Sequence, residues 1–197
     1  MPGVSSMRER KIPREWQVLK YLEPRNVLLK FDQFEGQIAD QDLPEDVRSL
    51  RVRSLRPAHY LRQAALFCYG MSHTSRLRVE FALLEDRDID CVTRWMDGDT
   101  LHYCPVQLKE LVPAHVNASV DLVAELGKLS KYADARDLVV AFYVNREVHL
   151  SFPMSVPAKI GVSELWFYGA TSPDRRQWML YGDVLGTPTR YEFEYPS

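Results

Sequence analysis

Between residues 77 and 111 the chain alternates apolar and polar side chains three times, and a glycine turn joins two of those runs. No other stretch limits the fold so strongly, because alternation at period two is the mark of a half-buried strand. Residues 77–84, LRVEFALL, set Leu77, Val79, Phe81 and Leu83 against Arg78, Glu80 and Ala82. Leu77, Phe81 and Leu84 would also line one side of a helix, but the alternation favours a strand. Residues 89–95, IDCVTRW, place Ile89, Cys91, Thr93 and Trp95 on one face and Asp90, Val92 and Arg94 on the other. The Asp97-Gly98 pair is a hairpin-turn signal and leads into a third strand, TLHYCPVQLKEL, antiparallel to the second.

Helical spacing flanks these strands. In residues 58–70, Leu61, Ala64, Ala65 and Cys68 make an apolar stripe that Gly70 is expected to end. After Pro113 the period changes again: Leu122, Leu126 and Leu129 share a stripe, with Asn117 or Ser119 as N-cap, for a helix of about four turns. Residues 136–145 are nearly all apolar between charged ends, as in a strand buried on both faces. Strand-like runs at 163–170 and 177–183 follow, with TSPD as the turn between them. The order helix, strand, strand, strand, helix, strand, with additions at both ends, predicts a mixed α/β (α+β) fold in which helices cover a central sheet. Residues 1–57 read as an N-terminal extension packed on a core at 58–197, the whole forming one compact domain. The first dozen residues are expected to be loose until Trp16, Val18, Leu19 and Leu22 offer something to bury.

A chain of 197 residues, 46% hydrophobic, can bury a core without staples. Its formal net charge of −2 carries no global polyanion-binding signature, so a nucleic-acid surface would have to be local. Arg48, Arg51, Arg53 and Arg56 offer such a patch, although a solvated helical face is the commoner meaning of a charge run. The three cysteines, Cys68, Cys91 and Cys104, sit in apolar stretches and read as reduced core thiols. With no apolar leader and no bilayer-length apolar run, a cytoplasmic location without a membrane partner is expected.

In the third strand Cys104, Val106 and Leu108 take the apolar face, so Gln107 and Lys109 emerge together on the other. If the hairpin pairs the second and third strands, Asp90 joins them. Asp90, Gln107 and the Leu108 carbonyl could supply oxygen ligands to Mg²⁺ or Mn²⁺, and Lys109 could orient water and stabilise charge on a phosphoryl group. Taken singly, each residue has a plainer use: a snorkelling lysine, a glutamine satisfying a buried backbone group, an aspartate at a turn.

This grouping, in this order of elements, resembles the PD-(D/E)xK nuclease superfamily with its restriction-endonuclease-like core. The resemblance covers roughly residues 58–144. Asp90 matches the acid of the second strand, Gln107-Leu108-Lys109 the acid-x-Lys triplet, and Glu80 the additional glutamate of some members. Ile89 stands where the family's name has proline, and Gln107 replaces the usual acid. The resemblance implies Mg²⁺-dependent hydrolysis of nucleic acid, DNA before RNA, with Asp90, Gln107, Lys109 and Glu80 as catalytic residues. The alternative is a catalytically inert protein of the same fold that binds nucleic acid or protein. Trp166, Phe167, Tyr168 and Trp178 would then serve an interface, though such residues are more often core. A shifted register would put Glu110 or Glu85 in place of the named acids. Cys91, His102 and Cys104 form a weaker zinc candidate, because no fourth ligand appears at a characteristic spacing. Oligomeric state is open, a homodimer included.

Overall fold

A computed structural model describes residues 12–84, 86, 88–132, 135–147 and 160–197; residues 1–11, expected to be loose, and Glu85 lie outside these. Seven strands pair in chain order into one mixed sheet: β1 (Glu80–Leu83), β2 (Cys91–Asp97), β3 (Thr100–Leu111), β4 (Val139–Val144), β5 (Glu164–Ala170), β6 (Gln177–Gly182) and β7 (Thr189–Glu194). β3, β4 and β5 run parallel to one another, and the remaining neighbours are antiparallel. β2 and β3 meet through a two-residue turn in which Gly98 has φ +57°, a backbone that a side chain disfavours. Asp97 itself closes the ladder opposite Thr100.

One face of the sheet is covered by α4 (Arg56–Ser75), with α2 (Pro24–Ile38) packed beside it. Leu28, Ala64, Phe67, Phe81, Val106, Tyr168 and Trp178 meet in that core. The other face is covered by α5 (Leu122–Gly127) and the 3-10 turn Lys128–Tyr132, which lie in the parallel crossover from β3 to β4. Leu126, Leu129 and Tyr132 pack there against Leu111, Phe142 and Phe167. Two short helices, α1 (Arg14–Gln17) and α3 (Glu45–Arg48), and a 3-10 turn at Arg53–Leu55 complete the helical part of the described residues.

Several expectations change. The helix expected to stop at Gly70 runs on to Ser75 and ends at Arg76 with φ +59°. Gly70 serves close approach instead, since a Cβ there would stand 2.8 Å from the Phe193 ring. The helix after Pro113 is capped by Asp121, whose carboxylate accepts from Ala124 N at 3.1 Å, while Asn117 bonds Ser119 in a local turn. Its α-helical part is therefore only six residues long. Val18 is 84% exposed, not buried. Trp166, Phe167, Tyr168 and Trp178 are all buried core residues and so leave no exposed aromatic interface in this segment. The cysteines are free and buried, and desolvation pushes all three thiols up.

Leu126 is fully buried where α5 meets the sheet. Leu126→Ala is expected to lower unfolding stability by about 2–5 kcal/mol in a denaturant titration, the cost of a buried cavity.

Candidate functional site at the end of strands β2 and β3

The hairpin register decides which polar groups meet. Cys91 pairs with Val106 at the end of the ladder, and just beyond it the side chains of Asp90 and Gln107 meet. The Asp90 backbone is held on both sides: its N–H donates to Val106 O at 2.9 Å, and its carbonyl accepts from Leu84 N at 2.9 Å. Its carboxylate Oδ2 accepts from the Leu108 N–H at 2.7 Å and from Gln107 Nε2. Gln107 is 6% exposed, and its Oε1 accepts from the Tyr132 hydroxyl at 3.1 Å. Lys109, two residues on and on the same face, places Nζ 5.9 Å from the Tyr132 ring centre. The structure thus brings Asp90, Gln107 and Lys109 together, under a tyrosine that sequence reading did not single out. Burial pushes the Asp90 carboxyl up from its ordinary value of 3.8; the Leu108 N–H, the Lys109 charge and the Gln107 amide offset this only in part.

Positive charge surrounds the group. Arg56, at the start of α4, is close enough to favour the Asp90 anion. Lys131 lies 4.5 Å from the Tyr132 ring centre and 3.6 Å from the Asp88 carboxylate. Glu80, by contrast, is not brought to this group. It stands opposite Arg94, which is four residues and so roughly 13 Å along the strand from Asp90. There it is held by Arg94 at 2.7 Å and Arg78 at 3.0 Å.

The four arginines also divide. Arg53 and Arg56 are exposed. Arg48, also exposed, donates to the carbonyls of Leu43 and Gln41, and Arg51 is ion-paired with Glu110.

Glu110 points to the α4 face of the sheet, opposite to Gln107 and Lys109. Besides Arg51 it meets His59 Nε2 at 3.0 Å and Asn145 Nδ2 at 2.8 Å. It therefore does not replace an acid of the Asp90 group. Burial alone would raise the Glu110 carboxyl, but bonds from His59 and Asn145 and the Arg51 charge together hold it below 4.5.

The oxygens of Asp90, the Leu108 carbonyl and Gln107 form the kind of donor set that suits a hard divalent cation. Gln107 Nε2 occupies the space between two of them, donating to Asp90 and, at 3.4 Å, to Leu108 O. Turning the amide would present Oε1 there and still leave Nε2 a partner, because a tyrosine hydroxyl can accept as well as donate. With the amide turned, the set would offer a cation one carboxylate and two neutral oxygens. As placed, the described residues contain no group of three or more His, Cys, Asp or Glu side chains arranged to hold a metal. His102, in the zinc candidate, stacks on Trp95 with ring centres 5.3 Å apart. Among the described residues no helix is long and apolar enough to cross a membrane. Comparisons with protein-family models, curated proteins and solved structures find no match to this chain.

Because its folded-state pKa is depressed, Glu110 contributes its full stabilisation above pH 4.5, and that contribution is lost as pH falls through the lower folded value. Glu110→Gln is expected to cost about 1–3 kcal/mol at pH 7, with the difference from wild type closing in acid. Denaturant midpoints across that pH range measure it; a constant difference would contradict the assignment.

Proposed function

We propose that the chain is a Mg²⁺- or Mn²⁺-dependent phosphodiesterase of restriction-endonuclease-like fold, acting on nucleic acid, DNA before RNA, in a reducing cytoplasmic setting. The observation that carries the reading is the meeting of Asp90, Gln107, the Leu108 carbonyl and Lys109 at one end of β2 and β3, with Arg56 and Lys131 around them. Asp90, the Leu108 carbonyl and the turned Gln107 amide would hold the cation. Once bound, it would polarise a phosphoryl oxygen and ease deprotonation of water. Lys109 orients that water and stabilises the charge that develops on the phosphoryl group. Arg53 and Arg56, both exposed, contact backbone phosphates and make binding salt-dependent. Glu80 has no part in this mechanism, since Arg78 and Arg94 hold it elsewhere.

A second reading, an inert protein of the same fold, is favoured by one observation. The Gln107 amide already satisfies the Asp90 carboxylate, and the triplet supplies no second charge to attract a cation. Calorimetric titration with Mg²⁺ and Mn²⁺ separates the two. The catalytic reading expects saturable binding that disappears in Asp90→Ala and tightens at least about tenfold in Gln107→Glu, which adds a carboxylate beside Asp90. It also expects metal-dependent cleavage of DNA that falls at least about a hundredfold in folded Lys109→Ala. Absence of metal binding in both wild type and Gln107→Glu would overturn it in favour of the inert protein.

A further inference from the structure

On the α4 face, away from Asp90 and Gln107, lies a cavity of about 280 Å³. Its wall carries Arg48, Arg51, Arg62, Arg175, His59 and His115. We propose that it is a binding site for a small phosphate monoester, separate from the group that would act on phosphodiesters.

Charge is the first argument. Four guanidiniums face the carboxylates of Glu35 and Glu45 in the wall and Glu110 behind it, an excess of one positive charge with both histidines neutral. A guanidinium has five N–H donors, and among the described residues the partners of these four take only some of them. Arg62 reaches Glu35 at 2.5 Å, Arg175 reaches Asn145 Oδ1 at 2.6 Å, and Arg48 spends two nitrogens on backbone carbonyls. Arg51 gives one terminal nitrogen to Glu110, while its Nε is buried with no hydrogen-bond partner among the described residues.

Backbone strain is the second. Only three described non-glycine residues have positive φ, and two are at this wall: Arg175 at +57° and Leu50 at +59°. Leu50 is not itself in the wall but is buried between Ser49 and Arg51, which are. For a side chain such as leucine that conformation is unfavourable and is kept where surrounding structure demands it.

Size and geometry select the ligand. Guanidiniums match phosphate oxygens through paired N–H bonds, better than they match isolated carbonyls or hydroxyls. A cavity of 280 Å³ is slightly below the usual range for small-molecule pockets, about 300–1,000 Å³, so it suits one phosphate with a small ester group and excludes a duplex.

The test is calorimetry on the full chain in metal-free buffer with phenyl phosphate, inorganic phosphate and acetate. Arg62→Gln, Arg175→Gln and their double variant are compared with Asp90→Ala, each verified as folded. These two arginines are chosen because removing Arg51 would strand Glu110. Saturable one-to-one phenyl phosphate binding is expected, about tenfold weaker in each single variant and unchanged in Asp90→Ala. Absence of saturable binding, or equal affinity in the folded double variant, would overturn the site. Acetate binding as tightly as phosphate would overturn the phosphate assignment. Displacement of phenyl phosphate by an oligonucleotide without terminal phosphates would transfer the cavity to the polymer backbone and overturn the small-molecule ligand. Because no metal is present, failure of the phosphodiesterase reading leaves this result untouched.

Discussion

The two-residue turn at Gly98-Asp99 sets the register from which the candidate site follows. With Asp97 opposite Thr100, each pair down the hairpin is determined as far as Cys91 and Val106, and just beyond that pair the Asp90 side chain meets Gln107. A slip of one residue would turn every β3 side chain to the opposite face, carrying Val106 and Leu108 out of the α4 core and burying Lys109 against α4. The apolar alternation of β3 therefore protects the polar pairing as well as the core. The same strand runs between two covered faces, so each polar side chain near its C-terminal end needs partners from the layer above it. On the α5 face Gln107 takes Asp90 and Tyr132; on the α4 face Glu110 takes Arg51, His59 and Asn145. Burial of a central strand thus generates two polar clusters on opposite sides of one sheet.

What could be read from the sequence was whatever depends on local period and short-range pairing. The β2–β3 hairpin and the approach of Asp90 to Gln107 rest on alternation and a glycine turn, both visible in residues 89–111. The limits of the helices were less legible because they depend on distant residues. Gly70 continues its helix because Phe193, more than a hundred positions on, leaves no room for a side chain. α2 had a usable local signal that was passed over, Pro24 at the first helical position behind a capping Glu23 with Val27, Leu28 and Phe31 at helical spacing. β7 shows only a short alternation of Tyr191 and Phe193 after Gly186 and Pro188, and its pairing with β6 is what makes it a strand. The arginine run could not be divided from sequence at all. Whether Arg51 meets solvent or Glu110 depends on a contact across 59 residues.

Gln107 determines how the α5-side group behaves without a cation. Glutamate in its place would set two carboxylates opposite each other on a non-polar face, and such a pair keeps both charges only with a cation between them or a proton shared. The amide avoids that repulsion: Nε2 donates to Asp90 Oδ2 while Oε1 receives the Tyr132 hydroxyl, so both polar atoms of the amide have a partner. A cation entering between Asp90 and Leu108 would therefore have to displace Nε2. Tyr132 lowers the barrier to that exchange, because its hydroxyl can accept from the turned amide where it donated before. Relative to a glutamate site, affinity is reduced both by the missing charge and by the hydrogen bonds given up. On the proposed reading, Gln107 would leave room for a cation while making its occupancy depend on the oxygens that a substrate phosphate beside Arg56 and Lys109 would add to the set.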